Sequence, residues 1–170
     1  MRRVILIGPG GAGKSTLARE IAAARHLPLV HLDALYWNAG WVPTPADVWE
    51  QRVAALVAEP AWVLDGNFGG TFELRLAACD TVVFLDQSPW RCTARVLRRW
   101  IRYAGRARPD MAPGCPERPS LEFLQWIWGY RARKRPRLLA RLAEAQRSGV
   151  TVQVLSTPAA VARFRATLRT

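Results

Sequence analysis

The sequence is short of lysine, histidine and acidic residues. Its 170 residues include 13 Asp and Glu against 25 Lys and Arg, so the formal net charge is +12, and there are only two histidines. Of the basic residues, 23 are arginines and two are lysines, Lys14 and Lys134. So few carboxylates predict acidic partners, namely nucleotides, phosphorylated metabolites or nucleic acid. The rarity of lysine also singles out Lys14, which lies in a glycine-rich loop.

Cysteines and long apolar stretches are scarce as well. The three cysteines, Cys79, Cys92 and Cys115, are an odd number at wide spacings, which fits neither a disulfide framework nor a zinc site. Cys115 lies in a Gly- and Pro-rich segment and could be exposed there. No apolar run approaches the roughly 18 residues that cross a bilayer, and Val4–Ile7 is followed by glycines rather than by a cleavage site. We therefore expect a cytoplasmic protein with reduced thiols and no membrane contact.

Short apolar segments alternate with helical ones, which predicts an α/β fold. Half of the residues are hydrophobic and 22% are charged, an ordinary globular mixture that one domain of residues 1–170 can bury. The alternation favours a parallel sheet with helices on both faces, hence three layers. The predicted strands are Val4–Ile7, Leu29–Leu32, Trp62–Leu64, Thr81–Leu85 and Val150–Leu155. The predicted helices are Lys14–Arg25, Ala46–Glu59 (capped by Thr44-Pro45), Thr71–Ala78, Pro89–Tyr103 and one from Pro158.

One segment contains too many helix and strand breakers for a regular element. Between Gly105 and Pro119 there are four prolines and a second glycine in about 15 residues. A loop of this length in a compact domain is usually functional or disordered. Because arginine-rich helices flank it, we predict a mobile lid over a phosphate site, an insertion at about residues 104–119. A plain surface loop is the alternative.

The strongest motif is a glycine-rich loop that matches G-x-x-x-x-G-K-S between a strand and a helix. This context is typical of a P-loop, whose backbone N–H groups surround phosphate oxygens at the positive end of the helix dipole. We expect Lys14 to reach the β- and γ-phosphates, Ser15 to bind Mg²⁺ and Thr16 to contact the α-phosphate. The predicted nucleotide-binding residues are Gly8, Gly10, Gly11, Ala12, Gly13, Lys14, Ser15 and Thr16.

Three aspartates follow predicted strands, at the sheet edge where ligands gather in open α/β folds. Asp65 is predicted to organise the metal side, through a water of the Mg²⁺ shell, or to orient the acceptor. Asp33 is predicted to bind or deprotonate the acceptor hydroxyl. Asp86 is expected to be structural or at the rim of the nucleotide site. Each of them could instead cap a turn.

Arginines cluster on both sides of the predicted lid. With few carboxylates to balance them, they are expected to surround an anion, either a transferring phosphoryl group or a nucleic-acid backbone. The best candidates for the catalytic role are Arg108 together with one of Arg99, Arg131 or Arg135. The first cluster is a helical stripe of Arg91, Arg95, Arg98, Arg99 and Arg102. The second is Arg131, Arg133, Lys134, Arg135 and Arg137, on a helix expected to be kinked at Pro136.

Aromatic residues admit two interpretations. Tyr36, Trp37 and Trp41 follow Asp33 in a loop-like segment, so they are candidates to stack on a base or to cover an acceptor. Core packing is the expected role of the tryptophans at positions 62, 100 and 126.

Four motifs in order resemble the adenylate-kinase-like group of P-loop kinases and, more narrowly, the bacterial DNA topology modulation (FlaR-type) proteins of that group. They are His31-Leu32-Asp33 with Trp37 and Gly40-Trp41, Asp65-Gly66-Asn67 with Gly69-Gly70-Thr71, Arg108-Pro109-Asp110-Met111, and Gly114-Cys115-Pro116-Glu117. The resemblance implies a sheet of order 2-3-1-4-5, ATP binding and kinase activity on a nucleotide or another small molecule. The family's name also implies an effect on DNA supercoiling.

One departure from adenylate kinases concerns the acceptor. Asp65-Gly66 is followed by Asn67-Phe68 and not by Pro-Arg, so the arginine that would hold a nucleoside monophosphate is missing there. Arg75 is a possible substitute. The favoured prediction is an ATP- and Mg²⁺-dependent phosphotransferase with a small acceptor. The alternatives are an ATP-binding regulator that contacts DNA through its basic surface, and an NTPase switch.

Overall fold

The structure is a computed structural model that describes residues 1–168. Its strands are β1 (Arg3–Ile7), β2 (Leu29–His31), β3 (Trp37–Asn38), β4 (Val42–Pro43), β5 (Trp62–Asp65), β6 (Thr81–Phe84) and β7 (Thr151–Val154). Its helices are α1 (Lys14–Arg25), α2 (Leu32–Tyr36), α3 (Ala46–Ala58), α4 (Phe72–Ala78), α5 (Pro89–Arg102), α6 (Leu121–Arg133), α7 (Arg135–Arg147) and α8 (Pro158–Thr167). Within residues 1–168, no helix is long and apolar enough to cross a membrane.

Five parallel strands form the central sheet, in the order β2-β5-β1-β6-β7. Counted along the chain within this sheet, the order is 2-3-1-4-5, and the predicted α/β fold is confirmed. Along β1 the side chains alternate between two cores, with Val4 and Leu6 in one and Ile5 and Ile7 in the other. Helices α1, α5 and α8 cover the first core, and α3, α4 and α7 cover the second. The sheet is therefore the middle of three layers, and its carboxyl edge carries the loops that form the site.

The chain between β2 and α3 departs from the prediction. Strand β2 ends at His31, so Asp33 lies in the first turn of the short helix α2 and not at a strand end. Strands β3 and β4 then form an antiparallel hairpin around Gly40, which adopts a φ of 77°. Thr44 does not cap α3, because its hydroxyl lies 2.7 Å from the carbonyl oxygen of Tyr36. The hairpin is too short to show a strand pattern in the sequence.

Residues 104–119 contain turns and one isolated bridge between Ala104 and Glu117. The segment packs against the β3–β4 hairpin, where Met111, Ala112 and Cys115 form a small buried cluster with Trp37 and Trp41 at its edge. Cys115 is only 1% exposed, although its Gly- and Pro-rich segment could have exposed it. Its burial follows from contact with an element that the sequence did not reveal.

The helix expected to be kinked at Pro136 is two helices. Helix α6 ends at Arg133, and α7 begins at Arg135. Pro136 lies in the first turn of α7, where a missing N–H costs no hydrogen bond. The proline therefore starts a new helix and does not bend an existing one.

Candidate active site

The glycine-rich loop follows β1 and has the backbone of a phosphate-binding loop. Gly8, Gly11 and Gly13 have φ angles of 143°, 76° and 101°, which residues other than glycine rarely adopt. A Cβ on Gly8 would lie 2.5 Å from the carbonyl oxygen of Leu85, so the first glycine is required by close packing as well. Ala12 is 2% exposed and belongs to the core. Gly8 and Ala12 thus shape the loop, while the others face its concave side.

A cavity of about 690 Å³ lies over this loop. It brings together Lys14, Ser15 and Thr16 of the P-loop and Asp33 of α2. Two of the predicted lid arginines, Arg99 of α5 and Arg108, also line it. The remaining lining includes Gly10, Gly11 and Gly13. Residues that the sequence spreads over about 95 positions therefore meet at one place.

The P-loop side chains have protein partners in this structure. The ammonium of Lys14 donates to the carbonyl oxygens of Gly8 and Pro9, at 3.0 and 3.2 Å. The Ser15 hydroxyl lies near Asp110 of the predicted lid and acts to lower the pKa of that carboxyl. Both groups lie at the start of α1, which is the positive end of its dipole.

Glu117 is the centre of the arginine cluster, and the sequence analysis did not select it as a site residue. Its Oε1 lies 2.7 Å from Nη2 of Arg99, and its Oε2 lies 2.6 Å from Nε of Arg108. Arg108 also donates from Nη1 to Asp110, at 3.1 Å. Burial, together with the neighbouring charge of Arg108, lowers the pKa of Arg99. The sequence signals for Glu117 were its place in the motif Gly114-Cys115-Pro116-Glu117 and the fact that it is one of three carboxylates between Arg91 and Arg137.

The pKa values of Asp33 and Asp110 are shifted in opposite directions. Burial raises the pKa of Asp33 above its ordinary value, and the nearby charges of Lys14 and Asp65 act in opposite senses on it. Burial also acts to raise the pKa of Asp110, but Arg108 and the Ser15 hydroxyl bring it below its ordinary value. Asp33 is therefore the carboxylate suited to accept a proton.

Asp65 does not line the cavity. It is 5% exposed, and its Oδ2 lies 2.8 Å from Nδ1 of His31 on the neighbouring strand. Its Oδ1 is buried and has no hydrogen-bond partner within the described residues. The predicted metal ligand thus lies at the carboxyl end of β5, behind Asp33, with one oxygen left unsatisfied.

Arg131 and Arg135 lie away from the cavity. Both pair with Asp86, which is 1% exposed: Nε of Arg135 is 2.8 Å from Oδ2, and Nε of Arg131 is 3.7 Å from Oδ1. These two arginines tie α6 and α7 to the end of β6, and of the proposed catalytic arginines only Arg99 and Arg108 line the cavity. Asp86 was expected to be structural or to lie at the rim of the nucleotide site, and these ion pairs indicate the structural role.

Arg75 is not a substitute phosphate ligand. Its side chain is fully buried and donates to the carbonyl oxygens of Gly66, Asn67, Phe68 and Thr71. Burial lowers its pKa to about 10. The guanidinium is hydrogen-bonded to the carbonyl oxygens of the loop after β5 and of Thr71, so it is not available to bind an acceptor phosphate.

Two residues that touch the P-loop were missed by the sequence analysis in this role. Asn67 hydrogen-bonds to the backbone of Gly8, and Arg95 of α5 donates from Nη1 to the carbonyl oxygen of Ala12 at 3.0 Å. The sequence predicts Arg95 only as part of an arginine stripe that surrounds an anion. The sequence contains no local signal for either contact, because both join segments far apart in the chain.

Comparisons with known proteins agree with this architecture. No protein-family profile matches the chain. Over 25 residues, which are 15% of this chain and 13% of the relative, it is 72% identical to a curated shikimate kinase from Thioalkalivibrio sulfidiphilus (strain HL-EbGR7). A solved shikimate kinase from Acinetobacter baumannii, in complex with shikimate, has a TM-score of 0.56 at 17% identity, covering 99% of this chain and 93% of that one. A gluconokinase from Sinorhizobium meliloti 1021 has a TM-score of 0.49 at 17% identity, covering 98% and 95%.

The Acinetobacter structure shows the fold, which is a three-layer P-loop NTPase fold with a five-stranded parallel sheet. The curated relative is matched over only 13% of its length, so its activity is not transferred by that match. None of these proteins supports the narrower resemblance to the DNA topology modulation family or a DNA partner. Of the four arginines predicted to be catalytic, Arg99 and Arg108 line the cavity, and Arg131 and Arg135 pair with Asp86.

Proposed function

We propose that the protein is an ATP-dependent phosphotransferase that uses Mg²⁺ and acts on a small acceptor. The observation that carries the proposal is a single cavity that joins the P-loop, the carboxylate of Asp33 and the pair Arg99 and Arg108. A triphosphate site, a base and cations for the transferring group are the three parts that phosphoryl transfer requires. The kinase fold of the Acinetobacter protein supports the proposal.

The donor end is formed by residues 8–16. The loop amides and the start of α1 bind the β- and γ-phosphates, as in other loops of this type. Lys14 exchanges the carbonyl oxygens of Gly8 and Pro9 for phosphate oxygens. Thr16 is exposed in the cavity and contacts the α-phosphate.

Two residues fit a magnesium ion. Ser15 offers a hydroxyl in the cavity, whereas Asp65 does not line the cavity and would act on the ion through a water of its shell, with a buried oxygen that has no hydrogen-bond partner within residues 1–168. Residues 1–168 contain no group of three or more His, Cys, Asp or Glu side chains able to hold a metal ion. Such a site suits Mg²⁺, which is held by few protein ligands together with phosphate oxygens and water. When bound, the ion neutralises charge on the phosphates.

Asp33 acts as the base for the acceptor hydroxyl. Its carboxylate accepts the proton of the acceptor hydroxyl while a new bond forms between that oxygen and the γ-phosphorus. The bond from the γ-phosphorus to the bridging oxygen breaks, and ADP leaves. The raised pKa of Asp33 favours this proton transfer.

Residues 104–119 act as a lid in this proposal, inserted into a single kinase-like domain of residues 1–170. The lid carries Arg108, Asp110 and Glu117, which form ion pairs within the lid, and Glu117 also pairs with Arg99 of α5. A γ-phosphate is a competing anion for Arg99 and Arg108, so nucleotide binding and lid closure are coupled. Closure excludes water from the transferring group.

The proposal is tested by ADP release from Mg-ATP with a panel of nucleosides, nucleotides, sugars and hydroxy acids. Lys14→Ala provides the blank, because it keeps the fold but lacks the phosphate-binding ammonium. At least one acceptor is expected to raise turnover well above this blank. If none does, the protein is not a kinase of a small acceptor in these classes.

A further inference from the structure

Phe123, in the first turn of α6, lines the cavity and lies against the phosphate-binding loop. The contact is with Gly10, which is not among the glycines of the loop that have a positive φ angle. A Cβ on Gly10 would overlap the end of the Phe123 ring, with Cε1 of the ring only 3.0 Å away. The ring therefore occupies the space that a side chain at position 10 would need.

Gly10 belongs to the end of the loop that holds the γ-phosphate. The ammonium of Lys14, which reaches the β- and γ-phosphates in a P-loop, lies at the carbonyl oxygens of Gly8 and Pro9. Helix α1 begins at the other end of the loop. A triphosphate that follows the loop from α1 toward this ammonium brings its γ-phosphate to Pro9 and Gly10. The ring of Phe123 covers the loop at that place.

Contacts with α5 and α6 hold the ring. The Phe123 N–H donates to the hydroxyl of Ser120, which caps α6, at 3.1 Å. The ring stacks on that of Trp126, with centroids 5.8 Å apart and an interplanar angle of 10°. The guanidinium carbon of Arg99 lies 5.7 Å from the centroid of the Phe123 ring, which is a cation–π contact. The ring is thus fixed by its own helix and by an arginine that lines the cavity.

The ring and the proposed base approach the loop from different elements. Asp33 lies on α2, and none of the charged groups that act on its pKa belongs to α5 or α6. Phe123 lies on α6 and contacts Arg99 of α5. The acceptor hydroxyl is therefore expected on the side of Asp33. On the side of Phe123 the loop meets an apolar ring, which neither donates nor accepts the hydrogen bonds that hold a water molecule.

We propose that Phe123 keeps water away from the γ-phosphate, so that the phosphoryl group passes to the acceptor and not to water. This inference rests on the proposed function and names a positioning residue for the same reaction. Hydrolysis would form a bond between a water oxygen and the γ-phosphorus, break the bond to the bridging oxygen and release ADP, with one proton of the water going to solvent. The ring excludes that water, and a dry site strengthens the attraction of Arg99 for the phosphate.

The test measures the release of inorganic phosphate from Mg-ATP with no acceptor present. Phe123→Leu removes the far end of the ring and Phe123→Ala removes all of it, so the rate is expected to rise about threefold and about tenfold, respectively. Trp128→Ala is the control, because it removes another aromatic ring of α6 that packs on Trp90 and does not line the cavity. A merely structural role predicts a fall in rate with lost stability. An unchanged or lower rate in the folded variants would therefore overturn the inference, and Phe123→Leu decides if Phe123→Ala does not fold.

A second test examines the contact itself through nucleotide binding. Gly10→Ala adds a Cβ that overlaps the Phe123 ring, and such overpacking is expected to weaken binding of a fluorescent ATP analogue by about tenfold. In the Phe123→Leu background the added Cβ has room, so the same change is expected to weaken binding by less than about threefold. Equal losses in both backgrounds would overturn the proposed contact between the ring and the loop.

The outcomes separate this inference from the proposed function. The acceptor panel with the original protein decides whether the protein is a kinase, and the Phe123 variants decide the role of the ring. An acceptor that is phosphorylated, together with unchanged hydrolysis in the variants, would leave the kinase intact and overturn the role of Phe123. Raised hydrolysis in the variants, together with no phosphorylated acceptor, would refute the kinase and support the ring as the group that keeps water from the γ-phosphate.

Discussion

The side-chain amide of Asn67 forms two hydrogen bonds with the backbone of Gly8. Its Nδ2 donates to the Gly8 carbonyl oxygen at 2.8 Å, and its Oδ1 accepts from the Gly8 N–H at 3.0 Å. Asn67 follows Asp65 at the end of β5, and the carbonyl oxygens around it are held by the buried guanidinium of Arg75. The loop after β5 therefore fixes the first glycine of the phosphate-binding loop.

Replacement of Asn67 is expected to weaken nucleotide binding more than it weakens the fold. In Asn67→Ala the Gly8 peptide loses both bonds, each worth about 1 kcal/mol, and the P-loop loses its set conformation. We expect KM for ATP to rise by about tenfold or more, measured by ADP release. Asn38→Ala removes the side chain of an exposed asparagine in the hairpin and serves as the control. Equal KM values in the two variants would refute the role of Asn67.

Arg75 is expected to be structural and not a ligand of substrate. Arg75→Met removes the donor for four carbonyl oxygens, and leaving such buried groups unsatisfied costs about 1–3 kcal/mol each. We expect a loss of at least about 3 kcal/mol in the free energy of unfolding, measured by urea denaturation. Arg141→Met, which removes an exposed arginine paired with Glu73 and Glu144, is expected to cost far less. A stable Arg75→Met protein with a raised acceptor KM would restore the substrate role.

The sequence predicted those features that depend on local patterns. The strands, the P-loop and α1 are visible because hydrophobic periodicity and the Gly-Lys-Ser spacing are contained in short segments. The β3–β4 hairpin was missed, because each strand has two residues and depends on packing against residues 111–115. Helix α2 was missed because its five residues follow an apolar strand without a capping signal.

The partners of charged residues could not be predicted from the sequence. Arg99, Arg131 and Arg135 had equal standing as candidates, since each lies in a dense arginine cluster. Only the tertiary fold shows that Asp86 forms ion pairs with Arg131 and Arg135. It also shows that Glu117 pairs with Arg99, which is 18 residues away in the sequence. Long-range ion pairs leave no periodic signal, so residues such as Glu117 are found only once the structure is known.

Glu117 is expected to hold the lid when no nucleotide is bound. Glu117→Gln removes the carboxylate that forms ion pairs with both Arg99 and Arg108. Trypsin should therefore cut within residues 104–119 about tenfold faster in the nucleotide-free variant. Added Mg-ATP is expected to slow cleavage in both the variant and the original protein, because the γ-phosphate replaces the carboxylate. Glu122→Gln, at an exposed site on α6, is the control. Equal cleavage with and without ATP in the original protein would refute the lid.

Asp33 is expected to be needed for activity but harmful to stability at neutral pH. Asp33→Asn removes the proposed base, so kcat should fall by about 10² to 10⁴-fold. Burial raises the pKa of Asp33. Below about pH 3 the folded and unfolded chains both carry its proton, and burial then costs nothing. As the pH rises the unfolded chain ionises first, and the destabilisation is complete above the raised pKa of the folded protein.

This dependence on pH predicts the direction in which the Asp33→Asn substitution changes the unfolding temperature. Thermal unfolding of Asp33→Asn is expected at a higher temperature than that of the original protein at neutral pH, with the difference vanishing at low pH. Asp47→Asn removes an exposed carboxylate from the first turn of α3, where it stabilises the helix, so it should lower the unfolding temperature slightly. A neutral-pH stability loss in Asp33→Asn would contradict the burial cost assigned to Asp33.

The central claim is that the γ-phosphate of ATP passes to an acceptor hydroxyl in the cavity above Lys14. The direct measurement follows labelled γ-phosphate from Mg-ATP into products, with and without each member of the panel of nucleosides, nucleotides, sugars and hydroxy acids. We expect the label in a phosphate ester of the acceptor, at a rate that depends on acceptor concentration and is lost in Lys14→Ala. Label found only in inorganic phosphate, at a rate that no acceptor changes, would contradict the claim and identify an NTPase.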